Sequence, residues 1–285
     1  MKKRLFILAL LLTVTLVFAA CSGKNDKKDS EKTENTETET ETEESKKETI
    51  EESTEEAKDD SEETTEDNAD TTNTSEEAGK EGDIMGNTLL YQGHASARIV
   101  TTEGKVIYID PYAGEGYDLP ADLILVTHDH YDHTGIDKIS QKNTDCVTIT
   151  WKEALEDGMH QSFDFGYVKV EAVEAGYNPN HNVSNCVGYI LTFSNGVSVY
   201  FTGDTSTTPQ MSELASRNLD YAFICCDGVY NMGLEEAAEC ANTINAKHNI
   251  PYHIAPGADF DMDKAEAFDA PNKLIVEAGE EIVLE

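Results

Sequence analysis

The residues best suited to chemistry lie in one short segment, residues 127–133, which reads Thr-His-Asp-His-Tyr-Asp-His. His128 and His130 are two residues apart, so on an extended segment their imidazoles project to the same side and can bind one ion. A turn in the following residues would direct Asp132 and His133 towards a second ion. Burying so many titratable groups without a metal would carry a large desolvation cost. We therefore predict metal ligands here, because a polar loop or a helix cap explains the composition less well.

Single histidines and acids elsewhere in the chain supply further candidate ligands. The apolar run of residues 123–126 predicts a buried strand that ends at the histidine-rich segment. A second predicted strand, residues 197–201, runs into Gly-Asp-Thr, so a carboxylate again follows the end of a strand. Imidazole and carboxylate groups are ligands that suit zinc, iron or manganese. The candidates outside the segment each lie in a loop or near a strand end: His181, Asp204 and His253.

The first twenty residues have the organisation of a secretory signal peptide. They begin Met-Lys-Lys-Arg, continue with an apolar run of 16 residues, and close on two alanines before Cys21. A positive start, an apolar centre and small residues at the cleavage site are typical of such peptides. Cys21 resembles the lipidated cysteine of bacterial lipoproteins. We predict an extracytoplasmic protein, lipid-anchored to the bacterial cell membrane. The alternative, an uncleaved anchor, would be short against the roughly 20 residues that a span needs.

Residues 21–82 are predicted to form the lipidated cysteine and a disordered acidic linker. Between residues 22 and 82 the sequence has 24 acidic residues, 8 lysines and no aromatic residue. Such a segment cannot bury enough apolar surface to offset the entropy that is lost on ordering. Its predicted role is a tether that holds the following domain away from the membrane, and the alternative is a tail that binds metal or a basic partner.

Residues 83–285 are long enough to form one domain with a substantial core. This part carries 32 acidic and 10 basic residues, a net charge of −22 within the −35 of the whole chain. Because binding to phosphates requires basic surface, this charge argues against nucleic acid as a partner and leaves a small-molecule substrate. Five cysteines follow Cys21, and an odd number without regular spacing argues against a disulfide framework.

Short apolar strands separated by turns dominate the pattern of this domain. Residues 187–201 predict a hairpin whose turn is Ser-Asn-Gly. A short helix is expected from Gly135, and apolar residues at helical spacing predict another helix over residues 234–244. Residues 274–276 and 281–284 predict two closing strands. Because strands outnumber helices and the helices fall between strands, we predict an α/β fold of two packed sheets with helices outside.

The order of the candidate ligands, His-x-His-x-Asp-His followed by single His, Asp and His residues, resembles the metallo-β-lactamase superfamily. The resemblance extends over residues 83–285 and implies an αββα sandwich, in which two mixed sheets are flanked by helices and the metals lie at one edge. Four further segments are similar to a branch of bacterial metal-dependent hydrolases that includes ascorbate-6-phosphate lactonase. These segments are Gly-His-Ala-Ser at 93–96, Ile-Asp-Pro at 109–111, Gly-Asp-Thr at 203–205 and Pro-Tyr-His at 251–253.

The resemblance implies a cofactor of two divalent metal ions, with zinc preferred and manganese or iron as alternatives. The ligands of the first ion would be His128, His130 and His181, those of the second Asp132, His133 and His253, and the bridging ligand Asp204. Three other residues of the same loop could take the place of His181 as a ligand of the first ion: Tyr177, Asn178 and Asn180. Asp110 would orient a ligand from behind.

The implied chemistry is hydrolysis by water activated between the two ions. Two ions about 3.5 to 4 Å apart lower the pKa of a bridging water to about 7, so that a metal-bound hydroxide attacks. Asp132 would take the remaining proton, and His94 would contact substrate or else be a buried hydrogen-bonded histidine. The predicted function is extracytoplasmic hydrolysis of a small-molecule ester, lactone or phosphodiester. The alternative is a metal-binding or ligand-sensing lipoprotein with the same fold and little catalysis.

Overall fold

A computed structural model describes residues 86–285 of this protein. The predicted signal peptide of residues 1–20, the predicted lipidation site Cys21 and the predicted linker up to residue 82 lie outside the described residues. Among residues 86–285, none of the helices is long and apolar enough to cross a lipid bilayer.

Short strands make up most of the regular structure in residues 86–285. In chain order they are β1 (Asn87–Gly93), β2 (Ser96–Val100), β3 (Val106–Ile109), β4 (Ala121–Leu125), β5 (Lys142–Ile149), β6 (Leu155–Glu156), β7 (Met159–His160), β8 (Ser162–Asp164), β9 (Val168–Glu174), β10 (Val187–Phe193), β11 (Ser198–Phe201), β12 (Tyr221–Cys225), β13 (His248–Tyr252) and β14 (Glu281–Leu284). The α-helices are α1 (Trp151–Ala154), α2 (Met211–Leu214), α3 (Leu234–Ile244) and α4 (Met262–Ala267).

Twelve of these strands form two six-stranded sheets with the same pattern of pairing. The first sheet has the order β14-β1-β2-β3-β4-β5 and the second the order β8-β9-β10-β11-β12-β13. Read in these orders, each sheet has three antiparallel pairs followed by two parallel pairs. The predicted fold of two mixed sheets with helices is confirmed, as are the hairpin of β10 and β11 and the bounds of α3.

The core contains apolar side chains from both sheets. Leu89 and Ile99 from the first sheet belong to the same buried cluster as Tyr189 and Phe223 from the second. The rings of Tyr91 and Phe223 lie 6.3 Å apart between centroids. Because strands contribute alternate side chains to such a core, each sheet is held as a platform from which its strand ends can position polar residues.

One expectation about local structure was wrong. The segment predicted as a strand over residues 274–276 forms no strand, and an isolated bridge joins the preceding residue, Lys273, to Asn249. Its apolar character has another cause, because Val276 is buried and Leu274 and Ile275 pack against the core. The short helix expected from Gly135 is present as a 3₁₀ helix, Ile136–Lys138, with Gly135 at its N-terminal cap.

Candidate metal centre

The predicted site residues follow the ends of strands from both sheets. His94 follows β1, Asp110 follows β3, the histidine-rich segment follows β4, and His253 follows β13. Three of these positions have backbone in the left-handed region, with φ of 51° at His94, 41° at Asp110 and 44° at His253. Such conformations are costly for residues with side chains, so they persist only where the surrounding contacts hold them. Here the amide of His253 donates to the carbonyl oxygen of His94 at 2.8 Å.

The first group of candidate ligands consists of His128, His130 and His181. One nitrogen from each ring lies within 4.8 Å of the others. The side-chain oxygen of Asn178 lies 3.0 Å from Nδ1 of His181 and accepts the amide of the same residue at 2.9 Å. Asn178 therefore orients His181 rather than replacing it. Asn180, another alternative for this position, uses its side chain to donate to the carbonyl oxygen of Tyr230 at 3.0 Å.

The second group contains Asp132, His133 and His253, as the ligand order predicts, and also His94. Nε2 of His94 lies 3.2 Å from Oδ2 of Asp132, and the rings of His94 and His253 have centroids 3.8 Å apart. His94 therefore belongs among the groups around the second position. It can bind the ion there or hydrogen-bond to Asp132.

Asp204 lies between the two groups. Its Oδ2 is 3.3 Å from Nε2 of His181 and 3.2 Å from Nε2 of His253, while its Oδ1 is 3.5 Å from Nε2 of His133. The preceding Gly203 makes this approach possible, because it has a φ of 62° and a Cβ there would lie 2.6 Å from the carbonyl oxygen of Val187. The bridging role of Asp204 stays a prediction, and this position is the one that such a role requires.

Several buried polar atoms of these residues have no hydrogen-bond partner among residues 86–285. They are Nε2 of His128, Nε2 of His133, both ring nitrogens of His253 and Oδ1 of Asp204. The separations of 3.2–3.5 Å between Asp204 and the histidine nitrogens resemble the roughly 3.3 Å between two ligands of a tetrahedral ion with bonds of about 2.05 Å. Buried donor atoms without partners are costly unless an ion binds them. The residues present therefore fit divalent metal ions.

Asp110 lies behind the His133 ring, on the side away from Asp204. Its carboxylate accepts the amide and the hydroxyl of Thr127, each at 2.7 Å, and lies 2.9 Å from Nδ1 of His133. This contact holds the His133 ring so that Nε2 faces Asp204. A carboxylate behind a metal-binding imidazole fixes the ring and raises its basicity.

Two supporting residues in the loop after β12 were not predicted from the sequence. Asp227, just beyond β12, has Oδ2 3.4 Å from Nδ1 of His253. The amide group of Asn231 donates to Asp204 and to Asp227, each at 2.8 Å. A carboxylate after a buried strand was a visible signal for Asp227. Asn231 had no such signal, because its partner Asp204 lies 27 positions away.

The protonation states of the metal-free site are set by burial and by neighbouring charges. Burial, and then repulsion from His133, lowers the pKa of His128 to about 2, so its ring is neutral and able to bind metal. Burial would also lower the pKa of His133, but Asp204 and Asp110 raise it to about 9. Burial opposes ionisation of Asp132, yet the contacts with His94 and His133 hold its pKa well below the usual range.

The two groups open into a cleft of about 760 Å³. Residues from several loops line it: His94, Asp129, His130, Tyr131, Asp132, Asn180, His181, Asp204, Tyr230, His253, Pro256 and Gly257. A volume of this size accommodates a small molecule. The structure therefore brings all seven predicted ligands and His94 together beside a space for substrate, with Asp110 behind them. Their roles in binding and catalysis stay predictions.

Residues 88–253 match the family described as the beta-lactamase superfamily domain. A UPF0173 metal-dependent hydrolase from Geobacillus sp. (strain WCH70) is 33% identical over 189 residues, which cover 57% of this chain and 83% of that protein. Another from Bacillus mycoides (strain KBAB4) is 29% identical over 227 residues, which cover 68% of this chain and 98% of that protein.

Solved structures show the same fold. A crystal structure of a proposed metal-dependent hydrolase from Parabacteroides distasonis ATCC 8503 aligns with a TM-score of 0.56 and 28% identity, and covers 67% of this chain and 91% of that one. Igni18, a metallo hydrolase from Ignicoccus hospitalis KIN4/I, aligns with a TM-score of 0.54 and 19% identity, and covers 70% of this chain and 98% of that one. The second likeness concerns the fold alone.

Proposed function

The chain belongs to the metallo-β-lactamase superfamily and is a metal-dependent hydrolase; from this premise we propose that it cleaves a small-molecule ester, lactone or phosphodiester outside the cytoplasm. The observation that carries the proposal is the position of Asp204 between two groups of candidate ligands at the floor of a 760 Å³ cleft. The sequence resemblance to a branch that contains a lactonase supports the choice of an ester or lactone.

Two divalent ions are proposed as cofactor, with zinc preferred and manganese or iron as alternatives. His128, His130 and His181 would hold one ion, Asp132, His133 and His253 the other, and Asp204 would contact both. Bound there, the ions would lower the pKa of water and polarise the scissile carbonyl or phosphoryl group. The nitrogen and oxygen donors are compatible with each of these metals.

Asp132 and His94 are the residues best placed to take part in proton transfer. The side chain of Asp132 is 24% exposed and lines the cleft, whereas that of His94 is 7% exposed and hydrogen-bonds to it. The carboxylate of Asp132 faces the cleft, and this position suits it to accept a proton from the attacking water. Burial lowers the pKa of His94, so its neutral ring can donate to Asp132 and keep the carboxylate aimed into the cleft.

The proposed location is the outer face of a bacterial cell membrane, with a lipid on Cys21. The support is the order of the first 82 residues: a positively charged start, an apolar run, Cys21 and an acidic segment. Substituting Cys21 with Ser should release the protein from the membrane into the medium. Continued retention of the variant in the membrane would instead favour an uncleaved anchor.

The test of the enzymatic proposal is metal analysis followed by a screen of esters, lactones and phosphodiesters. Purified protein should contain about two metal ions per chain, and removing them with a chelator should abolish hydrolysis. His128→Ala should lose metal and activity, while Asp132→Ala should lose activity. If both variants remained folded and hydrolysed every substrate as fast as the unchanged protein, this site would not be the catalytic one.

A further inference from the structure

Within residues 86–285, the lining of the metal cleft contains no lysine or arginine. Two lysines contact loops beside the cleft, and their ammonium groups donate to backbone carbonyl oxygens. Lys138 donates to that of Tyr112. Lys264 donates to those of Asp227 and Ile254. A substrate in the cleft would therefore meet no cationic side chain from this part of the chain. Recognition of phosphate groups usually relies on arginine or lysine.

Carboxylates dominate the charge around the cleft. Three line it, Asp129, Asp132 and Asp204, and two more, Asp110 and Asp227, lie directly behind the histidines. Two divalent ions would contribute four positive charges, against five carboxylates in and behind the cleft. The local field would therefore not favour a substrate with additional negative charge.

Two exposed tyrosines and Pro256 supply the apolar part of the lining. Tyr131 is 76% exposed and Tyr230 is 53% exposed, although large apolar rings are usually buried. Tyr131 lies within the ligand segment, and its ring meets that of Tyr112 edge-on at 5.8 Å between centroids. Tyr230 lies in a loop that Asp227 holds by accepting the amides of Val229 and Tyr230, each at 2.6 Å. The Tyr131 ring is thus held against Tyr112, and the backbone that carries Tyr230 is held by Asp227.

We propose that the substrate is an uncharged carboxylic ester or lactone whose apolar substituent lies against Tyr131 and Tyr230, and that phosphodiesters are poor substrates. This inference rests on the proposed hydrolase function and narrows it. The rings supply binding for the apolar group, the carboxylates disfavour anions, and the reacting carbonyl lies towards Asp204 and Asp132.

The test compares three substrates that release the same chromophore, using the full metal-loaded chain. They are p-nitrophenyl butyrate, which is neutral, mono-p-nitrophenyl succinate, which is anionic, and bis(p-nitrophenyl) phosphate. We expect kcat/KM to be about tenfold or more higher for the butyrate than for either anion. Asp129→Asn removes one carboxylate from the cleft and should raise the ratio of kcat/KM for the succinate to kcat/KM for the butyrate about threefold.

Variants of the two rings test the apolar contact. Tyr131→Ser and Tyr230→Ser should each lower kcat/KM for the butyrate about tenfold, mainly through KM, whereas Tyr131→Phe and Tyr230→Phe should retain it. Val283→Ser is the control, because Val283 is 50% exposed on β14 and does not line the cleft. A preference for the phosphodiester, or butyrate hydrolysis unaffected by both serine variants, would overturn the inference and leave the hydrolase function intact.

A binding measurement decides the case in which no substrate is turned over. Calorimetry on the metal-loaded protein would compare N-phenylbutyramide, an uncharged amide, with phenyl phosphate. Absence of turnover would count against the proposed hydrolase function. Binding of the amide that both serine variants weaken would still support the apolar surface, and tighter binding of phenyl phosphate would overturn it.

Discussion

The two six-stranded sheets pair their strands in the same pattern, but they supply the metal centre in different ways. The first sheet places four candidate ligands in one loop after β4, within residues 128–133. The second places single residues apart: Asp204 after β11, Asp227 after β12 and His253 after β13. The loop after β4 supplies two candidate ligands to each of the two groups within six residues. The distributed residues come together only when the second sheet has formed.

Asp204 is the point at which the two contributions meet. Its oxygens face His133 from the first sheet's loop, and His181 and His253 from the second half of the domain. Loss of a residue that serves both groups should therefore have a larger effect than loss of a ligand that serves one. The following predictions test this difference, beginning with the largest effect.

Asp204→Asn should abolish binding of both metal ions and lower kcat/KM about a thousandfold, because the amide cannot replace a shared carboxylate. His130→Asn is the matched variant, since His130 belongs to only one group. It should lose about one metal ion per chain. Elemental analysis of purified proteins measures both outcomes. Full metal content in Asp204→Asn would show that Asp204 is not the bridging residue.

The buried carboxylates behind the histidines should differ in importance between the sheets. Asp110 accepts three contacts at 2.7–2.9 Å, including Nδ1 of His133, whereas Asp227 lies 3.4 Å from Nδ1 of His253. Asp110→Asn should weaken metal binding about a hundredfold and Asp227→Asn about tenfold. Competition with a chromogenic chelator gives both affinities, and the reverse order would contradict this comparison.

Metal binding should release protons at neutral pH. The pKa of His133 is raised to about 9 in the metal-free protein, so an ion binding at pH 7 must displace a proton from this ring. The apparent affinity should rise about tenfold per pH unit between pH 7 and 9 and then level off. Calorimetric titration in buffers of different ionisation enthalpy counts the protons. If the number of protons released per metal ion were the same at pH 10 as at pH 7, His133 would not be their source.

The same raised pKa has a consequence for stability without metal. The protonated His133 stabilises the folded state fully below its unfolded pKa of about 6.5, and this contribution is lost as the pH rises through about 9. The metal-free protein should therefore melt at a lower temperature at pH 9.5 than at pH 7. Asp110→Asn removes one of the charges that raise the pKa of His133. It should therefore reduce the difference in melting temperature between pH 7 and pH 9.5.

The smallest effect is expected at Asn178, whose side-chain oxygen accepts the amides of Asn180 and His181 and lies 3.0 Å from Nδ1 of the His181 ring. Asn178→Ala should weaken metal binding about fivefold, because the ring loses its orientation but remains in place. Asn143→Ala is the control, since Asn143 is exposed and hydrogen-bonds to Asp122. Equal affinities in the two variants would indicate that the loop backbone alone positions His181.

The same contrast explains how much could be predicted from the sequence. Residues 127–133 could be interpreted directly, because histidines and aspartates at this spacing after a buried strand are typical of a metal site. His181, Asp204 and His253 were assigned by the order they share with the superfamily, and the structure places them beside the segment. Asn231 could not be predicted, since a single asparagine in a loop has no distinctive pattern and its role depends on where Asp204 lies.

The fold was predictable to a similar degree. Apolar runs and Gly-containing turns correctly indicated most strands, including β10 and β11. Residues 274–276 were wrongly predicted because packing against a core and pairing in a sheet select the same apolar residues. The exposure of Tyr131 and Tyr230 could not be predicted either, since tyrosines in loops are often buried.

Strand β14 pairs antiparallel with β1, and Leu284 faces Asn87 in the register. Strand β1 runs from Asn87 towards His94 at the cleft, a length of roughly 20 Å at about 3.3 Å per residue. Glu285 therefore leaves the domain at the end of the sheet remote from the metal ligands. A peptide fused after Glu285 could attach the protein to a sensor surface with its cleft directed into solution, which would make the binding measurements possible on immobilised protein.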